Sequence, residues 1–173
     1  MSRNPSVTRK CSPYITKFRL IVRHFSEAPV EYEPEFARSF MRRTLEILKS
    51  YSGPYDATLL VNCLLGLLVV PKESLIDKVP IDPFDQLSSW GIRPESIQRT
   101  GHCDYGHEQK SNLRQLVRRL RNALAHFNVD PIHDRGVVSA FRFEDRNGFR
   151  AVVPLSELHT LATRLAEHLE KNA

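Results

Sequence analysis

The sequence lacks the short motifs by which several large enzyme classes are recognised. No G-x-x-x-x-G-K-[ST] loop, no G-x-G-x-x-G turn and no G-x-S-x-G elbow occurs in its 173 residues. These glycines let a backbone approach phosphates or hold a strained nucleophile. Their absence therefore excludes P-loop NTPase, Rossmann oxidoreductase and α/β-hydrolase interpretations.

Cysteine and long apolar runs are also scarce. The three cysteines, Cys11, Cys63 and Cys103, are odd in number and lack metal-type spacing, which favours a reducing compartment. No apolar stretch fits a secretory signal, and the apolar segment from Tyr55 to Val70 is shorter than the about 20 residues of a membrane span. The sequence predicts a cytoplasmic protein with no membrane partner, and places Cys63 in the core.

Acidic residues are absent from the first 26 positions, where six lysines and arginines give a charge of +6. The rest of the chain sums to −1, so the net charge of +5 reflects this segment. We interpret residues 1–30 as a basic N-terminal arm and residues 31–173 as one domain. Such an arm is a basic tail partly ordered at Tyr14–Phe25, a source of phosphate contacts, or a strand or helix packed on the domain, and these interpretations stay open.

The strongest positive signal is an amphipathic helix, predicted from Asn112 to Phe127. Apolar residues recur every three or four positions and share one face, namely Leu113, Leu116, Val117, Leu120, Leu124 and Phe127. The opposite face holds Arg114, Gln115, Arg118, Arg119, Arg121, Asn122 and His126. Guanidinium groups match phosphate oxygens, and imidazole exchanges a proton near neutral pH. The polar face thus has the chemistry of a surface that binds or cuts a nucleic-acid backbone.

Spacing along this helix separates two of the polar residues and brings two together. Arg121 and His126 are five residues apart, so about 7.5 Å of rise and roughly 140° of rotation lie between their Cα atoms. Asn122 and His126 are four apart and share an azimuth. We expect Asn122 to orient the imidazole while Arg121 points elsewhere, so that a complete site needs two copies facing each other across a dimer cleft.

The segment Arg121-Asn122-Ala123-Leu124-Ala125-His126 resembles the R-x4-H motif of HEPN domains. An apolar helix precedes it and a hairpin and a last helix follow, an order similar to that of a plasmid-associated, mostly uncharacterised HEPN group. The resemblance covers roughly residues 31–171. It implies a helical homodimer and a metal-independent endoribonuclease of toxin–antitoxin or defence systems, with neither cofactor nor metal. Arg121, Asn122 and His126 match the family's catalytic positions.

Partners follow from the same hypothesis. Arg114, Arg118 and Arg119 are predicted to bind flanking phosphates of an RNA substrate. Because HEPN domains include inactive scaffolds, the alternative is a non-catalytic module that binds RNA, a nucleotide, or an antitoxin or other protein partner. A third hypothesis is a metal-dependent hydrolase built on the 102–108 loop with His133 and Asp134, whose residue types suit zinc although their spacing matches no zinc motif.

The remaining patterns predict a mainly α fold, a HEPN-like helical bundle with one β-hairpin between the motif helix and the C-terminal helix. The other helices are expected over Glu33 to Ser50, Tyr55 to Val70 and Leu155 to Lys171. The hairpin joins Val137–Glu144 to Phe149–Val153 through Asn147-Gly148. Short helices are expected at 83–89 and 94–99 in the connector from 71 to 106, which Trp90 anchors to the core.

Overall fold

A computed structural model of the chain describes residues 34–50, 56–69, 76–101 and 112–172. The α-helices of these residues are α1 (Pro34–Ser50), α2 (Asp56–Leu68), α3 (Leu113–Ala125) and α4 (Leu155–Asn172). The strands are β1 (Ile97–Thr100), β2 (Val129–Asp134), β3 (Val137–Glu144) and β4 (Phe149–Pro154). Two 3₁₀-helices, Phe84–Trp90 and Pro94–Ser96, precede β1. The predicted basic arm lies outside the described residues.

Helix α4 packs against α1 and α2. Its apolar side chains return at the helical period and are buried together, namely Leu158, Leu161, Ala162, Leu165, Ala166 and Leu169. Both α1 and α2 pack against it, and α2 also contacts α3. Ion pairs Arg42–Glu170 (3.0 Å) and Lys49–Glu167 (2.9 Å) line the α1–α4 contact. The predicted C-terminal helix is confirmed.

Helix α2 is apolar around most of its circumference. Its buried residues are Leu60, Cys63, Leu64, Leu65, Leu67 and Leu68. Burial also raises the pKa of the Cys63 thiol, because a thiolate loses its hydration there. The prediction of a core helix holding Cys63 is therefore confirmed. No helix in the described part of the chain combines the length and the apolar character needed to cross a membrane.

The sheet is antiparallel and has the strand order β1-β4-β3-β2. Strands β3 and β4 are the predicted hairpin, with Phe141 opposite Val153 and Phe143 opposite Ala151. The inward residues of these strands are buried and contact α3 and α4, as the two-residue period of a half-buried strand requires. The hairpin prediction is thus confirmed residue for residue over β3.

The predicted fold class is nevertheless wrong. The hairpin is half of a four-stranded sheet, so the fold is α+β and not a mainly α bundle with one hairpin. Strand β1 covers part of the 94–99 segment predicted as helix, in which only residues 94–96 form a 3₁₀ turn. Its sequence Ile-Gln-Arg-Thr shows no alternation, because three of its four residues are exposed at a sheet edge.

Strand β2 was missed for a different reason. Asp130-Pro131 predicted the end of the motif helix, yet Pro131 lies inside β2, paired with Phe141. Proline is tolerated there because β2 is an edge strand. A register shift between Ile132 and His133 also breaks the two-residue period that would have marked a strand.

The connector before α3 is fastened to α4 by a buried carboxylate. Glu157 accepts hydrogen bonds from the Ser96 hydroxyl (2.7 Å), the Arg93 backbone N–H (3.2 Å) and the Arg93 guanidinium. Burial alone would raise the pKa of Glu157, but these donors outweigh it and hold the pKa below its usual value. Trp90 is half-buried, donates to Asp82 (2.6 Å) and meets the His168 ring edge-on at 5.7 Å, so it attaches the connector to α4.

Candidate functional site

The motif helix α3 presents a sharply divided surface. Its buried face consists of Leu113, Leu116, Val117, Leu120, Ala123 and Leu124, which pack against α2 and β3. Asn112 begins the helix, since its side-chain oxygen accepts the Gln115 backbone N–H at 2.9 Å. The polar face opposite lies toward solvent only in part, since Arg118 and His126 are exposed and the other three arginines of this face are half-buried.

Arg121, Asn122 and His126 occupy the C-terminal half of this outer face. Arg121 and Asn122 are half-buried, whereas His126 is exposed. The Nε of Arg121 is shielded from solvent, so the guanidinium lies partly within the fold. The His126 backbone N–H donates to the Asn122 carbonyl oxygen at 3.1 Å, which places these two residues one turn apart, as predicted.

The helix ends at His126 in a Schellman motif. The Phe127 N–H donates to the Leu124 carbonyl (3.1 Å) and the Asn128 N–H to the Ala123 carbonyl (2.9 Å). His126 has φ −98° and ψ 6° and therefore lies just beyond regular helix.

Phe127 does not belong to the buried face. The prediction that it continues the apolar stripe is wrong, because its φ of 56° turns the chain out of the helix and leaves 51% of the residue exposed. Periodicity alone cannot locate this turn. The residue that could have indicated the end of the helix is Asn128, because asparagine is common in the turns that follow helices.

The arginines predicted to bind RNA differ in their surroundings. Arg114 donates to the Val79 carbonyl (2.7 Å), and Arg118 pairs with Asp77 (3.2 Å) at the surface. Arg119 pairs with Asp145 at 2.9 Å, and their side chains are only 14% and 5% exposed. Arg118, with 48% of its side chain exposed, is the most accessible of the three. Their contact with RNA stays a prediction.

An open depression of about 360 Å³ lies beyond the end of α3. It is lined by Phe127, Asn128, Asp130, Glu144, Asp145 and Arg146. Sequence reasoning did not find it, because the depression forms between the helix end, β2 and the β3–β4 turn. It lies directly after His126 in the chain, at the same end of the motif helix.

The residues of the proposed metal site are only partly described. His133 and Asp134 are exposed on β2, and the 102–108 loop lies outside the described residues. Within the described ranges, no group of three or more histidine, cysteine, aspartate or glutamate side chains is arranged to hold a metal ion. The zinc hypothesis therefore stays a prediction about the loop.

Comparison with known proteins places the chain in a family. No curated protein and no solved structure matches it. A family model described as HEPN pEK499 p136 matches residues 25–173, which is most of the chain and includes α3 with its Arg121 and His126. The chain therefore belongs to this HEPN family.

Proposed function

We propose that the protein is a metal-independent endoribonuclease of the HEPN type, acting as a homodimer. The observation that carries the proposal is the position of His126. Its imidazole is exposed at the end of the motif helix, and no group within the described ranges hydrogen-bonds the ring. It lies one turn from Asn122 and on the same helix as the half-buried Arg121. An accessible imidazole one helical turn from an amide suits proton transfer at a phosphate.

The chemistry begins with the ribose 2′-OH next to the scissile phosphate. His126 removes its proton while the 2′-oxygen attacks phosphorus, and the bond from phosphorus to the 5′-oxygen breaks as that oxygen gains a proton from water. His126 then returns its proton to the solvent. The products are a 2′,3′-cyclic phosphate and a 5′-OH. Proton transfer of this kind contributes about 10²–10⁴-fold. Arg121 stabilises the charge that develops on the phosphorane, and Asn122 orients His126 or binds the phosphate.

A second protomer completes the site. Arg121 and His126 are separated by roughly 140° around one helix, so a single phosphate does not meet both from one chain. Two motif helices facing each other supply one protomer's imidazole and its partner's guanidinium. Arg114, Arg118 and Arg119 bind flanking RNA phosphates, and Arg118 is the best exposed of the three, since Arg114 and Arg119 are half-buried and contact Val79 and Asp145.

The same proposal sets the protein's biological context. A ribonuclease that needs no cofactor must have its activity restrained in another way. This agrees with a cytoplasmic toxin or defence component that an antitoxin or other protein partner inhibits. A non-catalytic HEPN module is the outcome if cleavage fails.

The test is cleavage of a labelled RNA by the full chain in EDTA. Wild type should cleave, and H126A should lose about 10²–10⁴-fold in rate. H133A is the matched control, because His133 is also an exposed histidine and should leave the rate unchanged. An oligonucleotide of the same sequence with 2′-deoxyribose should stay intact. No cleavage by wild type, or equal cleavage by wild type and H126A, would refute the enzymatic proposal.

A further inference from the structure

The side of the sheet that faces away from the helices carries arginines on three neighbouring strands. Arg142 in β3 and Arg150 in β4 each lie between two buried residues, so their side chains leave the sheet on the solvent side. Arg99 in β1 is the Cα partner of Arg150 and shares that side. All three residues are exposed. We call this surface, defined by Arg99, Arg142 and Arg150, the outer sheet face.

The register brings these like charges close together. Arg99 and Arg150 are directly opposite each other, a position in which Cβ atoms are about 4.5–5.5 Å apart and like charges destabilise a sheet. Arg150 is also opposite Glu144, two residues along β3 from Arg142, so Arg142 is its diagonal neighbour. An anion that contacts more than one of these guanidinium groups would relieve their repulsion.

Two carboxylates share the outer sheet face, and both lie on its β3–β2 side. Glu144 pairs with the Nε of Arg150 at 2.9 Å and leaves 46% of the Arg150 side chain exposed. Asp130 lies opposite Arg142. Strands β1 and β4 contain no acidic residue, and Arg99 forms no ion pair within the described ranges. Positive charge is therefore in excess on the β1–β4 half of this face.

The arginines lie at the end of the sheet that adjoins the motif helix. Arg150 is the second residue of β4, directly after the β3–β4 turn. In the same cross-strand row, the Glu144 backbone N–H donates to the Asn128 carbonyl at 3.1 Å. Asn128 is two residues beyond His126 in the chain. The outer sheet face thus begins next to the segment that leaves the proposed catalytic helix.

We infer that the outer sheet face binds phosphates of the RNA chain beyond the point of cleavage, through Arg99 and Arg150 with Arg142 beside them. The inference rests on the proposed function, because it names where the same RNA continues after His126. Guanidinium groups match phosphate oxygens in pairs. The described strands place no phenylalanine, tyrosine or tryptophan on this face, so bases have no ring on which to stack. The contacts hold the backbone and do not select a base.

The test is the salt dependence of RNA binding by the full chain carrying H126A, which removes the proposed cleavage. Fluorescence anisotropy of fluorescein-labelled oligouridine at several potassium chloride concentrations gives the slope of log Kd against log salt. R99Q/R150Q should weaken binding and lower this slope by about 1.4, the value for two phosphate contacts on a single strand. R99Q alone should lower it by about 0.7. Oligoadenosine should show the same changes, since phosphate contacts carry no base information.

The double variant R135Q/R164Q is the matched control. It removes the same charge from two exposed arginines, one in the β2–β3 turn and one on α4, and should leave the slope unchanged. Circular dichroism melts verify that each variant folds. R99Q keeps the inference testable if R99Q/R150Q does not fold, because Arg99 has no ion pair to lose within the described ranges.

The outcomes separate this inference from the proposed function. If wild type cleaves no RNA but R99Q/R150Q lowers the slope as expected, the nuclease proposal fails and the outer sheet face stands as an RNA-binding surface. If wild type cleaves and R99Q/R150Q keeps the slope of R135Q/R164Q, the inference is refuted and the nuclease stands. Labelled polyglutamate is a probe for an acidic protein. Binding of polyglutamate that needs Arg99, while RNA binding does not, would also overturn the inference, as would an effect confined to one of the two oligonucleotides.

Discussion

The Arg119–Asp145 pair should be the most costly charged contact to break on the motif helix. Asp145 Oδ2 accepts from Arg119 at 2.9 Å, while Oδ1 accepts the backbone N–H groups of Asn147 (2.9 Å) and Phe149 (3.0 Å). One carboxylate thus both closes the β3–β4 turn and ties that turn to α3. Replacing it by alanine removes all three bonds and leaves the guanidinium without its buried counter-charge.

The burial of the Arg119–Asp145 pair sets how much free energy of unfolding D145A should lose. With side chains only 14% and 5% exposed, the pair falls in the class for which removing one partner costs about 3–5 kcal/mol. That is a large fraction of the roughly 5–15 kcal/mol that stabilises an ordinary domain. D145N should cost less, because its amide oxygen still accepts in the turn while the charge is lost.

Urea denaturation followed by the fluorescence of Trp90, the chain's one tryptophan, measures these free energies of unfolding. E144A is the matched control. Glu144 pairs with Arg150 at the same 2.9 Å, but their side chains are 40% and 46% exposed, so about 0–1 kcal/mol is expected. The reasoning fails if D145A costs no more than E144A. It also fails if R119A and D145A add fully in the double variant, since that would mean no coupling between them.

Three further predictions concern the core and its connector. Above its ordinary pKa, Glu157 is ionised and stabilises the fold, and this contribution is lost as pH falls through its lowered folded pKa. E157Q should therefore be less stable than wild type at pH 7 by about 1–3 kcal/mol, and the difference should close as the medium is acidified below the ordinary glutamate pKa. A difference in the free energy of unfolding that stays constant with pH in urea titrations would contradict this. G91A should lower the thermal midpoint more than G136A does. Both glycines have positive φ, but only at Gly91 would the new Cβ clash with the Thr160 side chain. Equal thermal midpoints for the two variants would contradict this. Cys63 should resist iodoacetamide in the native protein and react on unfolding, as peptide mass spectrometry can verify, whereas native labelling would place it outside the core.

Elements that carry their own signal could be predicted from the sequence. The apolar stripes of α3 and α4 are dense enough to decide both helix and buried face, and Asn147-Gly148 marks the hairpin turn. Strands β1 and β2 carry no such signal. Strand β1 is stabilised by pairing with β4, which is distant in sequence, and β2 pairs with β3 in an irregular register. A local sequence pattern contains neither kind of contact.

The site was predictable to a similar extent. The one-turn spacing of Asn122 and His126 follows from helical geometry, and the backbone hydrogen bond between them agrees with it, whereas a role of Asn122 in orienting the imidazole stays a prediction. The engagement of Arg119 by Asp145 was not foreseeable, because the two residues are 26 positions apart and meet only when the β3–β4 turn folds against α3. The exposure of Phe127 depends on its positive φ. An argument from periodicity assumes helical backbone at that position and therefore does not detect it.

The two outer strands of the sheet have a consequence for association. Each carries a register irregularity, between Ile97 and Arg99 in β1 and between Ile132 and His133 in β2, and Pro131 removes one N–H from the latter. Edge strands with an irregular register or an absent backbone N–H pair poorly with a strand from another chain. Two molecules that meet should therefore do so through helices, leaving the sheet protected from the edge-to-edge growth that leads to fibrils.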